Sequence, residues 1–271
     1  MNNTPDITPE NRMLRLEYDE LKKKFASLTL TFEEMVQEQS PRLSAMYLKL
    51  LGNKRYEILN VQVEIKTLEM RKQLLQSYIN RNQTPDLKAI AQKVDAVVNE
   101  YNQILAEEAQ KLKDAKDILE APVLSEKETA EIRTLYRMLV KHLHPDTNPD
   151  QSDKDKDLFI VVQNAYQHRD IAKLQEICLA LDTGKLTGTS INIGSIKEYI
   201  DKLKPKVAAL EQKIADLGKM FPFTIKDNLL DDNWIKQEQQ KDEETLQQLK
   251  EKRDHLAKIV EMMELYKSKQ L

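Results

Sequence analysis

Cysteine, glycine and tryptophan are all scarce in this chain, and each scarcity closes off a class of function. A single cysteine, Cys178, excludes an internal disulfide framework and any Cys-cluster zinc site. Only five glycines occur in 271 residues, and none forms the Gly-rich loop that cradles phosphates. Aromatics make up 6% and are not interleaved with basic residues, and the formal net charge is −3, so nucleic-acid binding is not expected. No apolar run approaches the ~18 residues needed to span a bilayer. The opening M-N-N-T-P-D-I-T-P-E has neither a basic region nor an apolar core, so it does not read as a secretory signal. No Ser/His/Asp arrangement or paired-Cys motif is present. The expectation is a soluble, cytoplasmic protein that is not an enzyme and holds no metal or cofactor.

What the chain does contain is the material of long helices. Charged residues are 32%, hydrophobic residues 40%, and Glu, Lys, Gln and Leu dominate. The predicted fold class is all-α. Residues 1–41 read as a polar tail and a helix whose stripe is Leu14, Tyr18, Leu21, Phe25, Leu28, Phe32 and Met35. Ser27–Phe32 also alternates like a strand, but the seven-position helical match outvotes it. Lys22-Lys23-Lys24 reads as a solvated face. Ser40-Pro41 is a helix restart signal, a capping residue followed by proline.

Residues 42–120 predict a long antiparallel coiled-coil hairpin. Its first arm carries Leu43, Tyr47, Leu50, Ile58, Val61, Ile65, Leu68, Leu75 and Ile79, interrupted by Lys54 and Lys72 and weakened at Gly52. After the polar turn at 80–86 the second arm carries Leu87, Ile90, Val94, Val97, Tyr101, Ile104, Leu112, Ala115 and Leu119. Each stripe is the nearest cover for the other. Residues 121–182 predict a helical module opened by a capping box, Ser125 to Glu128. Cys178 falls on the apolar face of its last helix, as a small core residue. Residues 183–195 are a Gly-rich linker. Residues 196–271 predict a C-terminal helical hairpin, beginning at a second capping box (Ser195 to Glu198) and containing Pro205. These last helices could equally fold back on the first arm, and periodicity leaves both arrangements open.

The candidate site lies within Tyr136–Tyr166. A helix with Ile132, Tyr136, Leu139 and Leu143 on one face and Arg133, Arg137 and Lys141 on another must stop near His144, because Pro145 disfavours helical geometry before it. Asp146, Thr147, Asn148 and Pro149 continue as turn formers. Apolar spacing resumes at Phe159, Val162 and Ala165/Tyr166. His142, His144 and Asp146 suggest a metal only on a strand; on a helix, residues two apart point about 200° apart. Two helices joined by a polar loop beside a basic stripe make a docking surface, which favours an acidic partner.

These residues resemble a known module. His144-Pro145-Asp146, the preceding Ile132-Arg133, Tyr136-Arg137 and Leu139, and the following Phe159, Val162, Ala165 and Tyr166 are similar, in register, to the J domain of DnaJ-type co-chaperones. The resemblance covers roughly residues 125–182. It implies that the loop and basic face bind a DnaK-type heat-shock chaperone and stimulate its ATP hydrolysis. On that basis His144, Pro145 and Asp146 are the signalling tripeptide, Arg133, Arg137 and Lys141 the basic helix, and Asn148 the frequent Asn after the tripeptide. The other matched residues are the core. Thr147 and His142 depart from the family's basic residues at those positions, with Lys141 displaced around the helix. The family's first helix has no clean counterpart, although Asp117-Ile118-Leu119 could stand in for it. Gly/Phe-rich and zinc-binding regions are lacking. The coiled-coil arms would then bind a client or a targeting partner, with homo-oligomers among the outcomes they allow. The competing reading is a structural or scaffolding coiled-coil protein whose J-like module is degenerate.

Overall fold

The computed structural model describes residues 8–122, 124–182 and 193–268. Among them every regular element is helical, and the chain is all-α. None of these helices is long and apolar enough to cross a membrane. The contacts divide the chain into two units: Met1–Ser40 with Pro122–Thr224, and Pro41–Ala121 with Ile225–Leu271.

The first unit holds α1 (Pro9–Glu34), α5 (Glu126–Leu143), α6 (Asp153–Gln167), α7 (Ile171–Asp182) and α8 (Ile193–Gly218). The Thr8 hydroxyl caps α1 by accepting the Asn11 N–H at 3.2 Å, with Pro9 in the first turn where its missing donor costs nothing. α5 packs on α6 and α7, α1 lies along α5, and α8 lies along α1. One apolar core runs through all five helices, from Tyr18 and Phe25 through Tyr136 and Leu139 to Val162, Leu174 and Leu203. The Tyr136 and Tyr166 rings stack at 4.0 Å within it. Cys178 is buried in this core.

Ser40-Pro41 does not break the helix as its composition suggests. A π-helical stretch, Met35–Gln39, leads straight into α2 (Ser40–Tyr47), and the Ser40 N–H donates to the Met35 carbonyl five residues back. The wider turn is one way for a helix to absorb a proline, which cannot donate its own bond and crowds the preceding turn. The boundary between the two units falls at this point.

In the second unit, α2 passes through a second π-helical stretch (Leu48–Gly52) into α3 (Asn53–Asn80), followed by α4 (Leu87–Glu120) and α9 (Asp232–Ser268). Asp86 caps α4 by accepting the Lys88 and Ala89 N–H groups at 3.0 Å, and Asp231 caps α9 by accepting the Asn233 N–H at 2.9 Å. α3 packs along both α4 and α9. Lys54, an interruption in the sequence stripe, reaches Glu243 on α9 at 2.7 Å. Arg55 forks onto Glu238 and Asp242, each at 2.8 Å. The apolar contacts are Val61 and Ile65 with Leu246 and Leu256, and Leu75 with Ile90, Val94 and Val260. Gly52 has a steric reason: a Cβ there would stand 2.5 Å from Cδ2 of Leu112 on α4. Between its packed ends α4 leaves Val97 and Ile104 exposed, and Ile104 lines a groove together with Leu59, Val63, Tyr101 and Leu249.

The expected C-terminal hairpin is corrected by these contacts. α8 packs along α1, where its apolar stripe joins the core of the first unit, and α9 packs along α3. Residues 196–271 therefore belong to two units rather than one. Ser195 stands inside the first turn of α8 rather than before it, and its side chain lies outside the described residues. Most of the Gly-rich linker, 183–192, also lies outside them.

Leu75 is fully buried where α3, α4 and α9 supply its neighbours. Leu75→Ala is expected to lower the unfolding free energy of that unit by about 2–5 kcal/mol. Exposed Val97→Ala should change it by less than about 0.5 kcal/mol. Urea denaturation of both variants checks the contrast.

Candidate functional site

The predicted site sits where α5 ends. At the other end of that helix the capping box is formed: the Glu128 N–H donates to Ser125 Oγ at 3.2 Å, and the Ser125 N–H donates to the Glu128 carboxylate at 2.9 Å. α5 stops at His144, whose backbone is extended and whose N–H closes the last turn onto the Val140 carbonyl. The Thr147 and Asn148 N–H groups both return to the His144 carbonyl at 3.0 Å. The Thr147 hydroxyl lies 3.0, 3.2 and 3.3 Å from the carbonyls of His144, Val140 and Lys141, and Asn148 Nδ2 donates to the Lys141 carbonyl at 3.0 Å. These bonds satisfy the helix-end acceptors that burial would otherwise leave unpaired. Thr147 is completely buried. Its departure from a basic residue has a physical reason, since a long cation has no room in that place.

The His144 ring is wedged between Phe25 of α1 and Phe159 of α6, edge-on, with centroids 4.8 and 4.9 Å away. Its Nδ1 accepts the Asp146 N–H at 3.0 Å, which assigns the proton of the neutral ring to Nε2. Burial pushes the imidazole down to about 4; the Asp146 carboxylate opposes that shift and Lys206 reinforces it. The Asp146 carboxylate accepts from Lys206 Nζ of α8 at 2.5 Å. Pro145 is exposed.

The basic face of α5 is spoken for in part. Arg133 pairs with Glu34 at 2.5 Å and Lys141 with Asp19 at 3.5 Å, both carboxylates belonging to α1. Arg137 is exposed, with Nε 3.3 Å from the Arg133 carbonyl, and has no ion pair among the described residues. Asn148 accepts from Lys22 Nζ at 2.7 Å. Lys141, His144, Pro145, Asp146 and Asn148 are thus gathered at the end of α5, where α1 and α8 lie against most of them, while Arg133 and Arg137 stand farther back along the helix.

Lys22 corrects the expectation of a solvated lysine run. It is 7% exposed, with its ammonium 5.3 Å from the Tyr18 ring centroid, while Lys23 remains exposed. Burial pushes its ammonium down to about 8, opposed by Asp19 and aided by Lys141. A signal for this was present, because Tyr18, Lys22 and Phe25 are spaced i, i+4, i+7 on one helix face. Lys206 and the Tyr18 hydroxyl, which donates to the Thr147 carbonyl at 2.6 Å, had no such signal. A further capping box, Ser152 with Asp155 at the start of α6, was legible as Ser followed three residues later by an acid. It explains why Asp155 is buried.

A half-buried, neutral His144 packed between two rings sets the sign of a pH effect. The opened loop would titrate near 6.5 and the packed loop near 4, so the packed form binds fewer protons between those values. Its stability is complete above pH 6.5 and falls as the pH drops toward 4, by on the order of 3 kcal/mol in all. An NMR titration of His144 is expected to show a midpoint near 4. A midpoint near 6.5 would place the ring in water.

Residues 114–168 match the protein-family model described as DnaJ domain. No curated protein and no solved structure matches the chain. The matched segment begins in the last turns of α4 and takes in α5, the His-Pro-Asp loop and α6. This chain carries a J domain of the DnaJ family, embedded between helical segments.

Proposed function

We propose that the protein is a co-chaperone that docks a DnaK-type heat-shock chaperone at the corner formed by α5 and the 144–148 loop and stimulates its ATP hydrolysis. The family match, with His144-Pro145-Asp146 at the junction of its two helices, is the observation that carries the reading. Arg133, Arg137 and Lys141 would steer an acidic surface of the chaperone, and the exposed Pro145 and half-exposed Asp146 would meet it. The chemistry belongs to the partner; this chain contributes a surface. The helices of the second unit would hold a client or a targeting partner.

A second reading, the J module as a structural connector, is favoured by one observation. His144 is packed between two phenylalanines and Asp146 is held by Lys206, so the corner serves the fold of its own unit.

Single-turnover ATP hydrolysis by a DnaK-type chaperone separates the two readings. The co-chaperone reading expects acceleration by the full chain and its loss in His144→Gln at unchanged helicity. Equal acceleration by wild type and His144→Gln removes the tripeptide from the account, and no acceleration by any form leaves the connector.

A further inference from the structure

We propose that α1 and α8 form an internal cover over the docking corner, competing with the chaperone for it, so that docking requires the cover to give way. This rests on the co-chaperone reading and adds its regulation.

The cover is complementary to the corner in charge and in shape. α1 turns Glu34 toward Arg133 and Asp19 toward Lys141, and Glu38 just beyond it lies 3.4 Å from Arg169. Carboxylates of α1 and of the π-helical stretch after it therefore meet three cations, which is the arrangement expected of an acidic docking partner. The one carboxylate of the tripeptide meets the opposite sign, Lys206 of α8. Phe25 closes on the His144 ring and Lys22 caps the Asn148 side chain. α8 is fastened to α1 in turn, by Lys204 with Glu17 and Lys24 with Glu211, each at 2.7 Å.

The strength of this cover is graded. Its ion pairs are largely exposed, and such pairs are worth little individually. The apolar contacts of Tyr18 and Phe25 hold more firmly, since both residues are 4% exposed. A cover built this way can be outcompeted without unfolding α5. While it is closed, the apparent affinity for the chaperone falls in proportion to the fraction of molecules that are open.

Two variants on the cover side test this in the full chain. Lys206→Ala frees the Asp146 carboxylate and alters only an exposed side chain, so it should fold normally. It also makes the protein less cationic, so a gain cannot come from better steering of an acidic partner. Phe25→Ala removes the ring against His144 and changes no charge; circular dichroism checks its helicity. Stimulation of single-turnover ATP hydrolysis is read at sub-saturating protein. Lys206→Ala is expected to stimulate about two- to fivefold more than wild type, and Phe25→Ala more again, both gains vanishing when His144→Gln is added. If wild type stimulates and neither variant exceeds it, the cover is overturned while the docking function stands. If no form stimulates, wild type included, the docking function falls and the cover with it.

Discussion

The packing of one imidazole between two phenylalanine rings decides how the first unit is arranged. His144 must leave the helix because Pro145 follows it, and its ring then needs a place. It finds one between Phe159 of α6 and Phe25 of α1. The ring has to be neutral to sit there, and the Asp146 N–H donated to Nδ1 helps fix it in that state. Once Phe25 is committed, Tyr18 and Lys22, about two turns and one turn earlier on the same face, fall over Thr147 and Asn148. The loop, α5 and α1 are therefore one packed body, and the half-buried histidine of the His-Pro-Asp tripeptide also packs against the core of its own unit.

That double use accounts for one departure from the family pattern, Thr147. Thr147 is small and buried because its hydroxyl serves the end of α5 under α1. Two of the remaining α5 cations are met by carboxylates of α1, Arg133 in the middle of α5 and Lys141 near its end, with Arg137 left exposed between them. The surface that the family resemblance assigns to a partner is occupied by the chain's own helix.

Much of this was legible from residue spacing. The helical class, the Ser125 capping box, the stop at His144 and the core residues Tyr136, Leu139, Phe159, Val162, Ala165 and Tyr166 all follow from period, capping chemistry and proline geometry. Which stripe meets which was not legible. A stripe such as Ile196, Ile200, Leu203 and Val207 says that a helix has an apolar face, and nothing in it distinguishes α1 from α9 as the cover. Charged residues inside a stripe were harder still. Lys22 looked solvated because it stands in a lysine run, yet its position between Tyr18 and Phe25 fixes it on the buried face; Lys54 looked like an interruption, yet it has Glu243 opposite. Ser40-Pro41 carried the right information about a boundary and the wrong one about a helix end, because a π-helical turn absorbs the proline.

The central claim is that the 144–148 corner is a docking surface held under α1 and α8. Hydrogen exchange of the full chain, with and without a DnaK-type chaperone in its ATP state, tests it most directly. The account predicts slower exchange across α5 and the loop on complex formation, together with faster exchange along α1 and α8 as they are displaced. Slower exchange confined to α3, α4 and α9, with α1, α5 and α8 unchanged, would contradict it.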